Sequence, residues 1–293
     1  MIKAVSFDFW FTLCTTSKDR DKKINNLRSD AIYLILRQYG YADSKRRFQS
    51  HYDLSEKIIR EEIINNGFFD YRMDVRISRF LEIILSSDPL LMQSLKQEEK
   101  WNEVCERVGV PYMEKLMAII PDAARNFEFV LNYLKEQGIK IALISNTGKS
   151  PGSILRKVLE FHGMLDYFDE TIFSNEVEMI KPKREIFELL IDRVNLSPDE
   201  ILHIGDGIFP DVGGAKNAGM KSALYLGTLP ENYSTRPTLE KDFHQIQPKY
   251  VIDDFQDLPD LITSINKNDP YFYRIRHHAD ILPASLYFLS DMN

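Results

Sequence analysis

Lys3-Ala4-Val5-Ser6-Phe7-Asp8-Phe9-Trp10-Phe11-Thr12-Leu13 sets a single carboxylate inside an otherwise apolar run. The residues up to Phe7 are strand formers, and after Asp8 the chain enters a second apolar stretch where a solvated turn would ordinarily follow. A carboxylate among aromatic rings loses its hydration, and desolvation alone drives it toward the neutral form. Such a group is kept where it meets a cation, a cluster of donors or a substrate. Asp8 is therefore read as the chemical centre, and its partners are sought downstream.

After Pro121 strands and helices alternate. Residues 122–137 read as a helix closed by Gly138, 139–144 as a strand ending at Ser145, and 151–162 as a helix with Ser150 as its cap. Residues 171–173 form a short strand, Lys181-Pro182 opens a helix running to about Val194, and Ser197-Pro198-Asp199-Glu200 is a capping box. Residues 201–205 and 223–226 read as strands on either side of a helix over 211–218, and Tyr250-Val251-Ile252 adds a sixth strand. Strands joined by single helices demand right-handed crossovers. The fold class is therefore α/β, a Rossmann-like, mostly parallel sheet with helices on both faces. Ligands of such sheets lie beyond the carboxyl ends of the strands. Asp8, Ser145 and Asp206 stand there.

Between Asp19 and Ile120 the apolar period becomes helical: Ile32, Ile35 and Leu36; Ile58, Ile59 and Ile63; Ile77, Phe80, Leu81 and Ile84. Asp88-Pro89, Gly109-Val110-Pro111 and Pro121-Asp122 read as breaks between helices. The expected organisation is a core of residues 1–16 and 121–266, an inserted α-helical domain at 17–120, and an extension at 267–293. Tyr271, Phe272, Tyr273, Tyr287 and Phe288 make that extension too apolar for a solvated tail, so it is expected to pack on the core or the inserted helices. Arg72, Arg76 and Arg79 fall on one side of a helix, the pattern of a solvated face with one residue available to an anion.

The composition is that of an ordinary globular protein of one large or two linked domains, 44% hydrophobic over 293 residues. A net charge of -7 disfavours a nucleic-acid or anionic-membrane partner. No apolar run approaches the roughly 20 residues of a membrane span, and no leader opens the chain. Two cysteines, Cys14 and Cys105, are too few for a disulfide framework. A cytoplasmic protein with a small-molecule partner is expected.

Four motifs in order carry a resemblance: Asp8 after the first strand, Ser145 in Leu143-Ile144-Ser145-Asn146, Lys181 in Ile180-Lys181-Pro182, and the acidic pair Asp206 and Asp211 in Gly205-Asp206-Gly207-Ile208-Phe209-Pro210-Asp211. The chain resembles the haloacid dehalogenase superfamily, in the branch with a helical cap inserted after the first motif. The resemblance implies Asp8 as nucleophile and Lys181 as its catalytic cation. Ser145, Asn146 and Lys181 then bind a small phosphorylated or anionic substrate. Mg²⁺ would be held by Asp8, the Trp10 carbonyl, Asp206 and Asp211, since it favours oxygen ligands and offsets the repulsion between a carboxylate and a phosphate dianion. Gly148-Lys149-Ser150 is not a phosphate loop, because Leu143 occupies the position of its first glycine. Read singly, Asp211 is also a helix cap, Ser145 a strand-end hydroxyl, Lys181 a surface charge and His203 a satisfied core histidine.

One departure matters. In phosphatases of the family the residue two after the nucleophile is a second aspartate, the proton donor to the leaving group; here it is Trp10, and Phe11 stands where glycine is usual. Indole neither donates nor accepts that proton. Three readings stay open, in order of preference: a slow Mg²⁺-dependent phosphohydrolase working through an aspartyl-phosphate on Asp8, a catalytically impaired phosphate- or protein-binding relative, and a 2-haloacid dehalogenase.

Overall fold

The computed structural model describes residues 1–227 and 246–274. The chain opens with β1 (Ala4–Phe7) and a short β2 (Cys14–Thr15). Five helices follow: α1 (Lys18–Gln38), α2 (Lys45–Asn65), α3 (Met73–Leu85), α4 (Pro89–Gln97) and α5 (Trp101–Glu114). Next come β3 (Asp122–Ala123), α6 (Phe127–Glu136), β4 (Lys140–Ser145), α7 (Gly152–Phe161) and β5 (Glu170–Phe173). The order continues through α8 (Ser174–Val177), α9 (Arg184–Val194), β6 (Ile201–Gly205), α10 (Gly214–Asn217) and β7 (Lys221–Tyr225). Among the described residues it ends with β8 (Tyr250–Ile252), α11 (Leu258–Asn266) and β9 (Phe272–Arg274).

Among the described residues seven strands form one sheet in the order β5-β4-β1-β6-β7-β8-β9, with every pairing parallel. β1 is central, so both its faces are buried, as its unbroken apolar character requires. Alternate residues serve opposite faces. Val5 and Phe7 join Ile141, Leu143, Leu202 and Ile204 under α6, α7 and α11, while Ala4, Ala142, Ile144 and Ile201 pack against Ile186, Phe187 and Leu190 of α9. Phe7 meets the rings of Phe127 and Phe255 edge-on at 5.3 and 5.8 Å. Phe7 lies opposite Leu143 of β4 and Ile204 of β6, so the chain leaves all three strands at one edge of the sheet. From β1 the chain builds outward to one side through β4 and β5, then to the other through β6 and β7, and the reversal places a crevice at the end of β1.

α1 to α5 enclose a separate apolar cluster that includes Ile32, Leu36, Phe48, Tyr52, Phe80, Ile84, Val104 and Tyr112. Ser17, Ser44 and Asp88 cap α1, α2 and α4 by accepting from the backbone N–H groups of Arg20, Arg47 and Leu91. β2 and β3 pair antiparallel and so tie together the two chain crossings at the base of these helices. The helices also touch the core directly: Ser174 Oγ donates to Asp70 at 2.5 Å and Asp70 N donates to the Glu178 carbonyl at 3.0 Å.

Local expectation and structure part in several places. The segment 122–137 is not one helix: pairing with Cys14 and Thr15 draws Asp122 and Ala123 into β3, and α6 starts only at Phe127, after Asn126 in the left-handed region. Gly109-Val110-Pro111 does not break the chain; α5 runs through it, because Val108, Pro111 and Tyr112 are buried together and Gly109 packs on Ile77. α7 starts at Gly152 with Pro151 as its cap, and α9 starts at Arg184, three residues beyond Lys181. Arg76 is not on a solvated face: it is 4% exposed and bonded within the bundle. The start of the extension adds β9 to the sheet edge beside β8; residues 275–293, with Tyr287 and Phe288, lie outside the described residues.

Candidate active site

Asp8 directly follows β1 and is anchored by its own N–H, which donates to the Ile204 carbonyl at 2.9 Å. Lys181, far away in sequence, reaches it through the sheet: Nζ donates to Asp8 Oδ1 at 2.6 Å and to the Ile144 carbonyl at 2.8 Å, and pairs with Asp211 Oδ1 at 2.6 Å. Lys181 is 3% exposed. Burial alone would lower its pKa, but Asp211 and Asp8 outweigh that and raise it, so it stays charged.

Asn146 fixes this lysine from the backbone side. Its side-chain oxygen accepts from Lys181 N at 2.9 Å and its amide nitrogen donates to the Lys181 carbonyl at 3.1 Å. Ser145 ends β4 fully buried, with its hydroxyl turned toward the Asn146 carbonyl at 3.5 Å.

Asp211 is held from three sides. Lys181 supplies charge, Gly207 N donates to Oδ2 at 2.8 Å, and His203 Nε2 lies 3.2 Å from Oδ1. Although burial raises its pKa, Lys181 and the hydrogen bond from His203 together hold it well below the usual carboxylate range. His203 is in turn seated by Ser6 Oγ at 2.8 Å from Nδ1 and by the Phe187 ring edge-on at 5.2 Å. The core histidine expected from alternation is thus satisfied, and it also orients a carboxylate, a role its sequence pattern did not suggest. The loop around Asp211 is one wide turn, Ile208–Gly213, rather than the start of a regular helix. A side-chain carbon on either Gly205 or Gly207 would strike the Asp211 carboxylate, so both glycines are needed for this close approach.

The carboxylates of Asp8, Asp206 and Asp211 converge, with one oxygen from each lying within 4.8 Å of the others. Asp8 and Asp211 share the one Lys181 ammonium, which leaves this buried pair with an excess of negative charge. Asp8 registers the strain: burial foremost, reinforced by Asp211, outweighs Lys181 and pushes its pKa up from 3.8 to about 6. A hard divalent cation at that cluster would remove the conflict. Trp10 stacks edge-on against Phe9 at 5.0 Å, and Phe11 sits in the left-handed region at φ 59, where glycine is at ease and a phenylalanine is strained.

The family model for haloacid dehalogenase-like hydrolases matches residues 2–219. The chain is 28% identical over 152 residues to a ribulose-1,5-bisphosphate 5-phosphatase of Halopiger xanaduensis, covering 52% of this chain and 59% of that protein. It is 26% identical over 272 residues to a glyceraldehyde 3-phosphate phosphatase of Pyrococcus furiosus, covering 92% of this chain and 96% of the relative. Several of its curated relatives are matched over little more than half their length. Among solved structures, a 2-haloacid dehalogenase from Pseudomonas syringae shares the fold at a TM-score of 0.59 and 17% identity, over 90% of this chain and 99% of that one. With Asp8 after β1, a buried lysine that reaches it from the segment before α9, an acidic pair after β6, and a family match covering most of its length, the chain belongs to the haloacid dehalogenase-like hydrolases.

Proposed function

We propose that the chain is a Mg²⁺-dependent phosphohydrolase acting on a small phosphorylated substrate through an aspartyl-phosphate on Asp8. The observation that carries this reading is the placement of one buried lysine between Asp8 and Asp211, with Asp206 completing an all-oxygen cluster. A dehalogenase attacking carbon has no use for a cation at that cluster, whereas attack on phosphorus does. The named activities of the curated relatives, all phosphatases in the two cases above, point the same way.

Asp8, Asp206, Asp211 and the Trp10 carbonyl would hold the Mg²⁺, and the donor set fits: hard oxygens only, with Asp8 and Asp211 sharing a single ammonium. Bound there, the cation supplies charge neutralisation for the phosphoryl oxygens. In the first half-reaction an Asp8 carboxylate oxygen forms a bond to phosphorus as the bond to the leaving oxygen breaks. Lys181 balances charge on the phosphoryl group and keeps Asp8 ionised, and Ser145 donates a hydrogen bond to a phosphoryl oxygen. In the second, water attacks the same phosphorus, gives up its proton to solvent, and releases phosphate and the free Asp8 carboxylate. Asn146 and His203 position Lys181 and Asp211.

Trp10 sits where the proton donor of both half-reactions would stand, so leaving groups that need no proton are favoured. Loss of such a group costs about 10² to 10⁴ in rate. Acyl or aryl phosphates are expected to react, alkyl phosphates to lag, and a phosphoryl group to accumulate on Asp8 with Mg²⁺ present. Intact-mass analysis after acid quench tests this: an 80-dalton class adduct in the wild type and none in Asp8→Asn is the expected result. Brisk turnover of alkyl phosphates without a trapped adduct would defeat it. Trp10 also favours the second reading, a binding protein without turnover, and phosphate binding with no adduct under any condition would select that one.

A further inference from the structure

Beside the Asp8 centre lies a second cavity of about 260 Å³ at the junction of α1 with the loop after β4. Its walls include Trp10, Asp21, Arg28, Thr147, Lys149 and Ser150. Trp10 is two residues after Asp8 and Thr147 two after Ser145, so this cavity adjoins the reacting end of the site.

Two cations line it, and neither is paired with a carboxylate among the described residues. Arg28 is 5% exposed; Nη2 donates to Ser150 Oγ at 2.9 Å, while Nε is buried with no hydrogen-bond partner. Lys149 Nζ donates to Asn25 Oδ1 at 3.0 Å and to Tyr52 OH at 3.3 Å, and lies 4.5 Å from the centre of the Tyr52 ring. All of these partners are neutral. Asp21, the remaining charged wall residue, attracts both cations without a hydrogen bond or ion pair to either among the described residues, so two positive charges of the wall face one negative.

A buried guanidinium with an unsatisfied N–H is a costly arrangement, because the desolvated donor has lost its water and gained nothing in exchange. Burial and mutual repulsion act on Lys149 as well, pushing its pKa down to about 8 despite the attraction of Glu56. The protein thus carries two cations next to its reaction centre that feel Glu56 at a distance but are hydrogen-bonded only to neutral groups, and burial outweighs that attraction for both. Structural arginines elsewhere in the bundle do not look like this: Arg76 is matched by Glu56, Asp70 and Tyr112.

We propose that the Arg28–Lys149 cavity is the subsite for a second anionic group of the substrate, a carboxylate or a second phosphoryl group remote from the one attacked by Asp8. This deepens the phosphohydrolase reading and rests on it. The forked guanidinium binds such a group through its N–H donors, of which Nε has no partner within the described residues, and Lys149 adds charge from the opposite element. Since Arg28 belongs to α1 and Lys149 to the core loop, a bound anion also bridges the helices to the sheet.

Unreactive phosphonates test the subsite by calorimetry on the full chain with Mg²⁺. The series pairs ω-carboxyalkyl phosphonates of two to five methylenes with alkyl phosphonates of equal length, and α,ω-diphosphonates form a third arm. At one length the wild type is expected to bind the carboxylate or the diphosphonate about tenfold or more tighter than the alkyl compound, and the stronger arm identifies the group. Arg28→Met and Lys149→Met should each remove most of that excess, with Arg28→Lys keeping part of it; thermal melts verify that the variants are folded. Equal binding of all compounds by the wild type overturns the subsite and leaves the phosphohydrolase reading standing. No phosphonate binding at all overturns both, and excess affinity that survives in both Met variants overturns the assignment to these residues.

Discussion

Arg76 and Arg28 are both buried arginines of the helical layer, 4% and 5% exposed, yet their surroundings are opposite. Around Arg76 the protein has assembled Glu56 at 3.0 Å, Asp70 at 3.6 Å and the Tyr112 hydroxyl at 3.1 Å, which together outweigh burial and raise its pKa. Around Arg28 it offers one serine hydroxyl, and burial prevails, so its pKa is lowered. The first guanidinium is complete within the fold; the second awaits something from outside. Satisfied buried charge marks architecture, and unsatisfied buried charge marks a place for a ligand.

The sharpest way to break this contrast is to delete each charge and measure stability. Arg76→Met strands Glu56 and Asp70 in the interior and should cost about 3 to 5 kcal/mol. Arg28→Met breaks no ion pair, weakening only the longer-range attraction to Asp21 and Glu56, and should leave chemical denaturation midpoints little changed or raised. Similar losses for the two variants would erase the distinction.

The Asp8 centre belongs on the Arg28 side of the comparison, and pH shows it. Its pKa is about 6 in the fold against 3.8 ordinarily, so the folded state binds the proton more tightly. Ionised Asp8 therefore penalises folding, with no penalty below about pH 3.8 and the full penalty above about 6; the displacement corresponds to about 3 kcal/mol. In metal-free buffer Asp8→Asn is expected to melt above the wild type at pH 7.5, with the gap closing toward pH 4. A gap that is constant with pH, or of the opposite sign, would place Asp8 among the satisfied charges.

Phe11 provides the smallest test. Its left-handed backbone costs about 1 kcal/mol, and Phe11→Gly would relieve it at the expense of some packing. A change of at most about 1 kcal/mol in either direction is expected. A much larger loss would mean that the Phe11 ring is itself a structural pillar beside the nucleophile.

Much of this was legible in the residues. Unbroken apolar runs separated by helical periods specified a parallel sheet, because only strands covered on both faces can be apolar throughout. The strand ends then gave Asp8, Ser145 and Asp206 directly. Even Arg28 left a trace, since Ile24, Arg28, Ile32 and Leu36 recur every fourth residue along the buried stripe of α1, where a charge is out of place. Lys149 was visible only as part of a failed phosphate-loop pattern.

What the linear order could not supply were relations across the fold. Local propensity made 122–137 a helix, and only pairing with Cys14 and Thr15 made its start a strand. Turn residues at 109–111 read as a break, and only packing against Ile77 carried α5 through them. Pairing of Lys181 with both Asp8 and Asp211, the seating of Asp211 by His203 and Ser6, and the lack of an ion pair to Arg28 among the described residues depend on residues far apart in the chain. Periodicity and motifs are local properties of a chain, so they determined the sheet and named the chemical groups. Charge balance in a buried site depends on every neighbour that the fold brings within a few ångströms, and so only the tertiary structure decided which charges are paired and which are left for a ligand.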